Sequence, residues 1–325
     1  MTTRSQLVTR AALSCLAVAI AIAAPAEAGA ATNGPIIFQG GVGKRPQIFS
    51  INPDGSGLKQ LTRAKDQGAQ EPSWAPDGSA FAFHVGAETH TDVFTARADG
   101  TGVAKVPLGA SKFHGDPAYS PDGSQISYDE DSGPGQPAVH GIFVAGKDGS
   151  GAHQLTTSLT GKDAYDTESK WSPDGTHIAF TRVKDTKAAA IFTVRTDGSD
   201  LRQITPYKLD AASPDWSPDG TKIAFNSYWD PHPGKSANAF TVNADGTGLT
   251  AITHHRDGKT HSFRPSWAPD GTKIVIARFV PKGKQGRLDL FIINPDGSGA
   301  RRLTGDKVGF AAQPDWGPAL PAPAH

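Results

Sequence analysis

Short apolar runs such as Ile178-Ala179-Phe180 and Ile223-Ala224-Phe225 recur along the chain, each following a Pro-Asp-Gly turn and followed by variable polar sequence. They alternate with a second kind of run, typified by Ile48-Phe49-Ser50-Ile51, which leads through Asp-Gly to a segment ending in Leu-Thr or Ile-Thr. Runs this short, rich in β-branched and aromatic residues and bounded by turn residues, predict strands. The turns have a mechanism: glycine accepts positive φ, and aspartate hydrogen-bonds the backbone of its own turn. Almost no 3.6-residue periodicity lies between the runs, so the fold class is all-β.

The two runs belong to interleaved repeats. The first reads KWSPDGTHIAF at 170–180, returns at 73–83, 118–128, 215–225 and 266–276, and breaks off as DWGP at 315–318. Its aromatic falls at Trp74, Tyr119, Trp171, Trp216, Trp267 and Trp316, in steps of 45, 52, 45, 51 and 49 residues. The phenylalanine of the second falls at 49, 94, 143, 192, 240 and 291. Each unit reads as four strands, and about 45 residues is the size of one propeller blade. Ile36, Ile37 and Phe38 match a second strand, and the missing first strand of that unit is supplied by Pro314, Asp315 and Trp316. The expected architecture is therefore a six-bladed β-propeller over 36–318, four strands per blade, closed by the C-terminal strand joining the N-terminal blade so that no sheet edge stays open.

What precedes and follows reads differently. Arg4 and Arg10 stand before an uncharged run of 14 residues, 11–24, and Ala26-Glu27-Ala28 offers a small-x-small cleavage pattern, so 1–28 is expected to be a signal peptide. A membrane span needs about 20 apolar residues, and no stable membrane insertion is expected. Residues 29–35 read as a linker and 319–325 as a Pro/Ala-rich tail. The single cysteine, Cys15, lies inside the signal run, which leaves no disulfide to predict.

Composition narrows the function. Lysine plus arginine number 32, as do aspartate plus glutamate, and this balance leaves no electrostatic footprint for nucleic acid or anionic lipid. The 37 glycines and 25 prolines recur at the repeat positions, so they mark turns and not disorder.

The two phrases, WSPDG-x-x-I-A-F and I-F-x-x-x-x-D-G-x-G-x-x-x-x-L-T, resemble the repeat of the TolB-type β-propeller, related to WD-repeat propellers. The resemblance covers nearly all of 36–318. It implies a periplasmic or extracellular scaffold that holds another protein or a peptide in its central funnel. TolB carries an additional α/β domain ahead of its propeller, which has no counterpart here, so membership of a Tol complex does not follow. The α/β-hydrolase domain of the related oligopeptidases has no counterpart either. The matching residues are turn and core residues and carry no function of their own.

Topology indicates where a site belongs. The tight turns emerge on one face of the ring; the connections from second to third strand and from one unit to the next emerge on the other, and those are the variable ones. Histidines gather there: His84, His114, His255 and His261 are candidates for ligand contact. Trp229, the one tryptophan outside the repeat position, and its neighbour Tyr228 are candidate aromatic anchors. Residues at or just before the proline of each first strand, Glu71, Asp116, Glu168, Arg264 and Gln313, are expected to ring the channel mouth. With Asp129 they form a rim able to take a cation or a basic peptide, solvated charge being the plain alternative. The six Asp-Gly turns are too short and too poor in carboxylates for calcium. Gly-x-Ser-x-Gly and His-Glu-x-x-His motifs are absent.

The expected function is a binding scaffold for an envelope or extracellular protein, peptide or glycan, exported, monomeric and without a cofactor. The alternative is a metal-assisted polysaccharide lyase or hydrolase built from loop histidines on a divalent metal. The two differ in one feature. An enzyme needs those histidines to converge with a carboxylate, whereas a scaffold lets them spread around the rim.

Overall fold

The computed structural model describes residues 32–41, 45–64, 67–87, 90–109, 113–131, 140–159, 164–185, 188–228, 236–282 and 285–319. The proposed signal peptide, residues 29–31 of the linker, Trp229 and the last six residues lie outside them. Among the described residues, twenty-four strands and one short 3-10 helix (Tyr207–Leu209) make up the regular structure.

Every unit repeats the same antiparallel order. Its first strand runs along the axis of the ring, as in Gly68–Trp74, Phe113–Tyr119, Tyr165–Trp171, Ala211–Trp216, His261–Trp267 and Phe310–Pro318. Each of these packs against the next, and Phe310–Pro318 packs against Gly68–Trp74, which closes the circle. As the sequence phase implied, Phe310–Pro318 pairs with Asn33–Gly41, which pairs onward with Gln47–Ile51 and Lys59–Gln60.

The turns form for the reason the sequence suggested. At 172–176, Asp174 Oδ1 accepts from the Thr176 amide at 3.0 Å and from the Ser172 hydroxyl at 2.6 Å, while Gly175 takes φ +70°. At the other hairpin, Asp54 Oδ1 accepts from the Ser56 amide at 2.8 Å beside Gly55 at φ +89°. These carboxylates are consumed by their own turns, which is why the Asp-Gly repeats offer little to a metal. Second and third strands meet through aromatic pairs at matching register: Phe38 on Phe49, Phe83 on Phe94, Tyr128 on Phe143, Phe180 on Phe192 and Phe225 on Phe240, with ring centroids 5.7–6.0 Å apart. The fourth strand is only two residues long, and the threonine of the Leu-Thr ending extends its pairing. Thr62, Thr156, Thr205 and Thr304 each accept the third-strand amide opposite through their hydroxyl, at 2.8–3.0 Å. An outer edge this short gives another chain little to pair with.

Apolar residues are buried between units and not around a single centre. Ala179 and Ile191 of one sheet pack on Ile223, Phe225 and Phe240 of the next, and Ile36 and Phe38 pack on Val275 and Leu290. The repeat tryptophans lock these interfaces, with the indole N–H of Trp171 donating to the Ala118 carbonyl and that of Trp216 to the Lys170 carbonyl, both at 3.2 Å.

The expectation of six separate four-stranded sheets needs one correction. Four sheets have four strands; the other eight strands, from Gly68–Trp74 to His153–Gln154, form one sheet. The fusion has a local cause. Thr91 lies parallel to Phe113 across the gap, its hydroxyl donating to the His114 carbonyl at 3.1 Å and accepting from the His114 amide at 3.0 Å.

Candidate functional site

The site is built on a backbone distortion that occurs once in every first strand. Glu71, Asp116, Glu168, Ser213, Arg264 and Gln313 all have positive φ, between 42° and 58°. At each, the pairing register with the second strand slips, as between Gln70 and Ser73 or between Phe263 and Ser266. This is a β-bulge with its first residue left-handed. It costs a non-glycine residue about 1–2 kcal/mol, and five of the six precede proline, where extended backbone is the ordinary preference. The bulge brings these six residues together on the channel lining.

There the charges meet. Arg264 Nη2 stands 2.6 Å from Glu168 Oε1 and 3.7 Å from Glu71 Oε1, and its Nη1 stands 3.5 Å from Asp116 Oδ1. One guanidinium from the fifth of these first strands thus spans three acids from the first, second and third. Gln313 donates to Glu71 Oε1 at 2.8 Å, and the Ser213 amide donates to Glu168 Oε2 at 2.7 Å. His84 Nδ1 is 3.1 Å from Glu71 Oε2, an ion-pair contact without hydrogen-bond alignment. Burial pushes the Glu71 carboxyl up, but His84 and Arg264 outweigh it and hold the group well below the usual range. Asp116 goes the other way: burial and the nearby Glu71 raise it well above its ordinary value. Burial and Glu71 likewise raise Asp129, to about 7.

A second charged layer lies two residues further along the same strands. Lys170 Nζ reaches Asp315 Oδ1 at 2.7 Å. Asp315 Oδ2 accepts the Trp74 amide and Asp215 Oδ2 the Trp267 amide, each at 2.7 Å, so both carboxylates tie neighbouring first strands together. Burial raises Asp215 to about 7 against the opposing pull of Lys170. Between the layers remains a cavity of about 50 Å³, room for a little water and no larger ligand. The rim expected from the sequence to be open and acidic is, at the channel itself, closed over its own arginine.

Free space lies to one side. Two adjoining depressions of about 370 and 470 Å³ share Asp131, His140, Tyr165 and Thr167 as lining. Glu71, His84, Asp116 and Asp129 line the first and Glu168 the second. The other candidates lie apart. His114 is 1% exposed, wedged between Asp92 and Glu130 and edge-on to Tyr128, so it lies behind the groove and not in it. Tyr228 is half exposed and rests on Phe263, whose other neighbour is His261. His255 Nε2 is 2.9 Å from Ser262 Oγ, and burial lowers its value to about 4. None of these last three lines the groove. Among the described residues no three ligating side chains are grouped to hold a metal. Sequence reasoning passed over Ser213, Lys170, Asp215 and Asp315. The last three share one signal, a charged residue immediately before the repeat tryptophan.

A ring of antiparallel four-stranded segments around a closed channel, with its variable loops on one face, defines a β-propeller. Residues 111–320 match the TolB beta propeller domain family, and the chain belongs to it. In fold it is similar to TolB from Acinetobacter baumannii, at 20% identity and a TM-score of 0.67 over 87% of this chain and 66% of that one. It is similar also to a structure provisionally named TolB from Agrobacterium tumefaciens, at 19% identity and a TM-score of 0.65 over 87% and 91% of the two chains. A chain of a nidogen/laminin complex matches at 11% identity and a TM-score of 0.66, over 88% of this chain and 99% of that one. At these identities the likeness concerns fold alone. No curated protein matches the sequence.

Proposed function

We propose that this protein is an exported binding scaffold, periplasmic or extracellular, that holds a protein or peptide partner on its variable-loop face beside the channel. The carrying observation is the contrast between a channel filled by two layers of paired charge and an open groove next to it. A ligand cannot thread the ring, so binding falls to the mouth. The fused eight-stranded sheet counts in this reading as two blades joined by one bridge, which makes six in all. The dispersal of His84, His114, His255 and His261 favours a scaffold over a metal-assisted lyase or hydrolase, which would need them together. Among the described residues no helix is long and apolar enough to cross a membrane.

Site-specific photo-crosslinking tests the reading. A crosslinking residue at Tyr165, in the groove, is expected to capture a discrete partner in the host envelope or medium. The same residue at Val103, exposed on a tight turn of the opposite face, should not. Equal capture from both positions, or none from Tyr165, overturns the assignment of the face.

A further inference from the structure

The groove is lined by more acid than base, and its two histidines, His84 and His140, stand against Glu71 and Asp131. Its described lining includes nine carboxylates, six in one depression and four in the other with Asp131 shared, and neither a lysine nor an arginine. Two of the chain's cations lie behind it and are committed. Arg264 serves Glu71, Asp116 and Glu168, and Arg182 is buried in a bidentate pair with Asp166, at 2.7 Å on each oxygen.

Asp129 is served by neither. Its Oδ1 is buried without a hydrogen-bond donor. On the facing strand its register partner is Gly115, where a Cβ would come within 3.2 Å of Oδ1 and 3.4 Å of Oδ2. Gly115 does not have the positive φ that would demand glycine; a side chain there would crowd the carboxylate, and glycine keeps Asp129 clear on that side. Both residues line the depression, as do Phe113 and Tyr165, the latter 43% exposed. A carboxylate lacking a donor, with an aromatic side chain lining the same depression, fits one slender cation whose apolar stem lies along the ring. A primary ammonium matches a single acceptor oxygen, whereas a guanidinium is best satisfied by two.

Building on the scaffold reading above, we propose that the groove holds a lysine side chain of an extended partner segment, with its ammonium at Asp129 and its stem along Tyr165. Acidic residues along the rest of the groove, Asp131, Asp185 and Asp210 among them, favour further positive charge in the same segment and speed its approach.

The test uses the full protein and a fluorescent peptide with lysine at alternate positions, read by anisotropy at low and at moderate salt. Three comparisons are made: the same peptide Nε-acetylated, its arginine counterpart, and the protein variants Asp129→Asn, Gly115→Ala, Tyr165→Ala and, as a charge-matched control on the opposite face, Asp99→Asn. The lysine peptide is expected to bind at least about tenfold more tightly than the acetylated one and several-fold more tightly than the arginine one. Asp129→Asn should weaken it about tenfold and Tyr165→Ala about three- to fivefold, with Asp99→Asn unchanged. Tyr165 is exposed enough that its variant reports binding even if the change at Asp129 disturbs folding. Equal binding of lysine and acetyl-lysine peptides, or a Tyr165→Ala protein indistinguishable from wild type, overturns the pocket. If crosslinking at Tyr165 still captures a partner in that case, the scaffold reading survives alone. Lysine-dependent binding with no capture at Tyr165 would sink the scaffold reading and retain the pocket.

Discussion

Replacing Arg264 by methionine tests the closed channel most directly. Methionine keeps an unbranched apolar stem and the same backbone penalty at φ +47°, so the change mainly removes the guanidinium. Its loss leaves Glu71, Asp116 and Glu168 facing one another with His84 as the nearest remaining counter-charge. Removing one partner from a buried ion pair costs about 3–5 kcal/mol. Here a ceiling applies, because a stranded carboxyl can take a proton: keeping a group with an ordinary value near 4 protonated at pH 7 costs about 4 kcal/mol, and at pH 5 about 1.4 kcal/mol. The expected deficit is therefore about 3–4 kcal/mol at pH 7 and 1–2 kcal/mol at pH 5. The sign follows from linkage. In the variant the acids have folded values raised above their unfolded ones, so stability is lost as pH rises through that window. In the wild type Glu71 is held low, and its contribution, present above the unfolded value, is lost on acidification. Both effects close the gap at low pH. Thermal unfolding followed by circular dichroism should show a loss of about 6–8 °C at pH 7 shrinking to 2–4 °C at pH 5, at roughly 2 °C per kcal/mol for a chain of this size. A variant as stable as wild type at pH 7, or a deficit that grows on acidification, would refute the charge network as the element that closes the ring.

Three further outcomes follow from single residues. Trp216→Phe should lose about 1 kcal/mol or more because it removes the donor to the part-buried Lys170 carbonyl, whereas Trp267→Phe should lose less, its indole nitrogen having no partner; denaturant midpoints that rank them the other way contradict the account of the interface. Ser213→Gly, at φ +58°, should range from neutral to about 1 kcal/mol stabilising, while Ser213→Val should destabilise by more than about 1 kcal/mol. Asp215→Asn keeps an acceptor for the Trp267 amide and removes an acid raised to about 7, so its stability relative to wild type should climb between pH 4 and pH 8, by at most about 4 kcal/mol; a pH-independent difference would show that Asp215 ionises without penalty.

What could be read from the chain depended on whether neighbours in sequence or neighbours in space decide the outcome. Turns such as 172–176 and the pairs Phe180–Phe192 and Phe225–Phe240 are local, set by an aspartate two residues from its donor or by strands joined through one hairpin, and the repeat announced them. The ring position of Glu71, Asp116, Glu168, Arg264 and Gln313 was also legible, because the position three residues before the repeat aromatic recurs in phase. The state of those side chains was not. Five of the six precede proline and should be extended, and nothing local asks all six to turn left-handed. The turn is held by contacts between units: Arg264 to Glu168 across 96 positions of sequence, Lys170 to Asp315 across 145. Opposite charges meet only once the ring is closed, so a rim that reads as acidic when its members are taken one unit at a time gains its counter-charge when the fifth first strand faces the first three. The open acid is then found by its geometry. Asp129 differs from Glu71 and Asp116 because it lies on the second strand, one step back from the bulge ring, where the side chain opposite is missing at Gly115 and Arg264 does not reach.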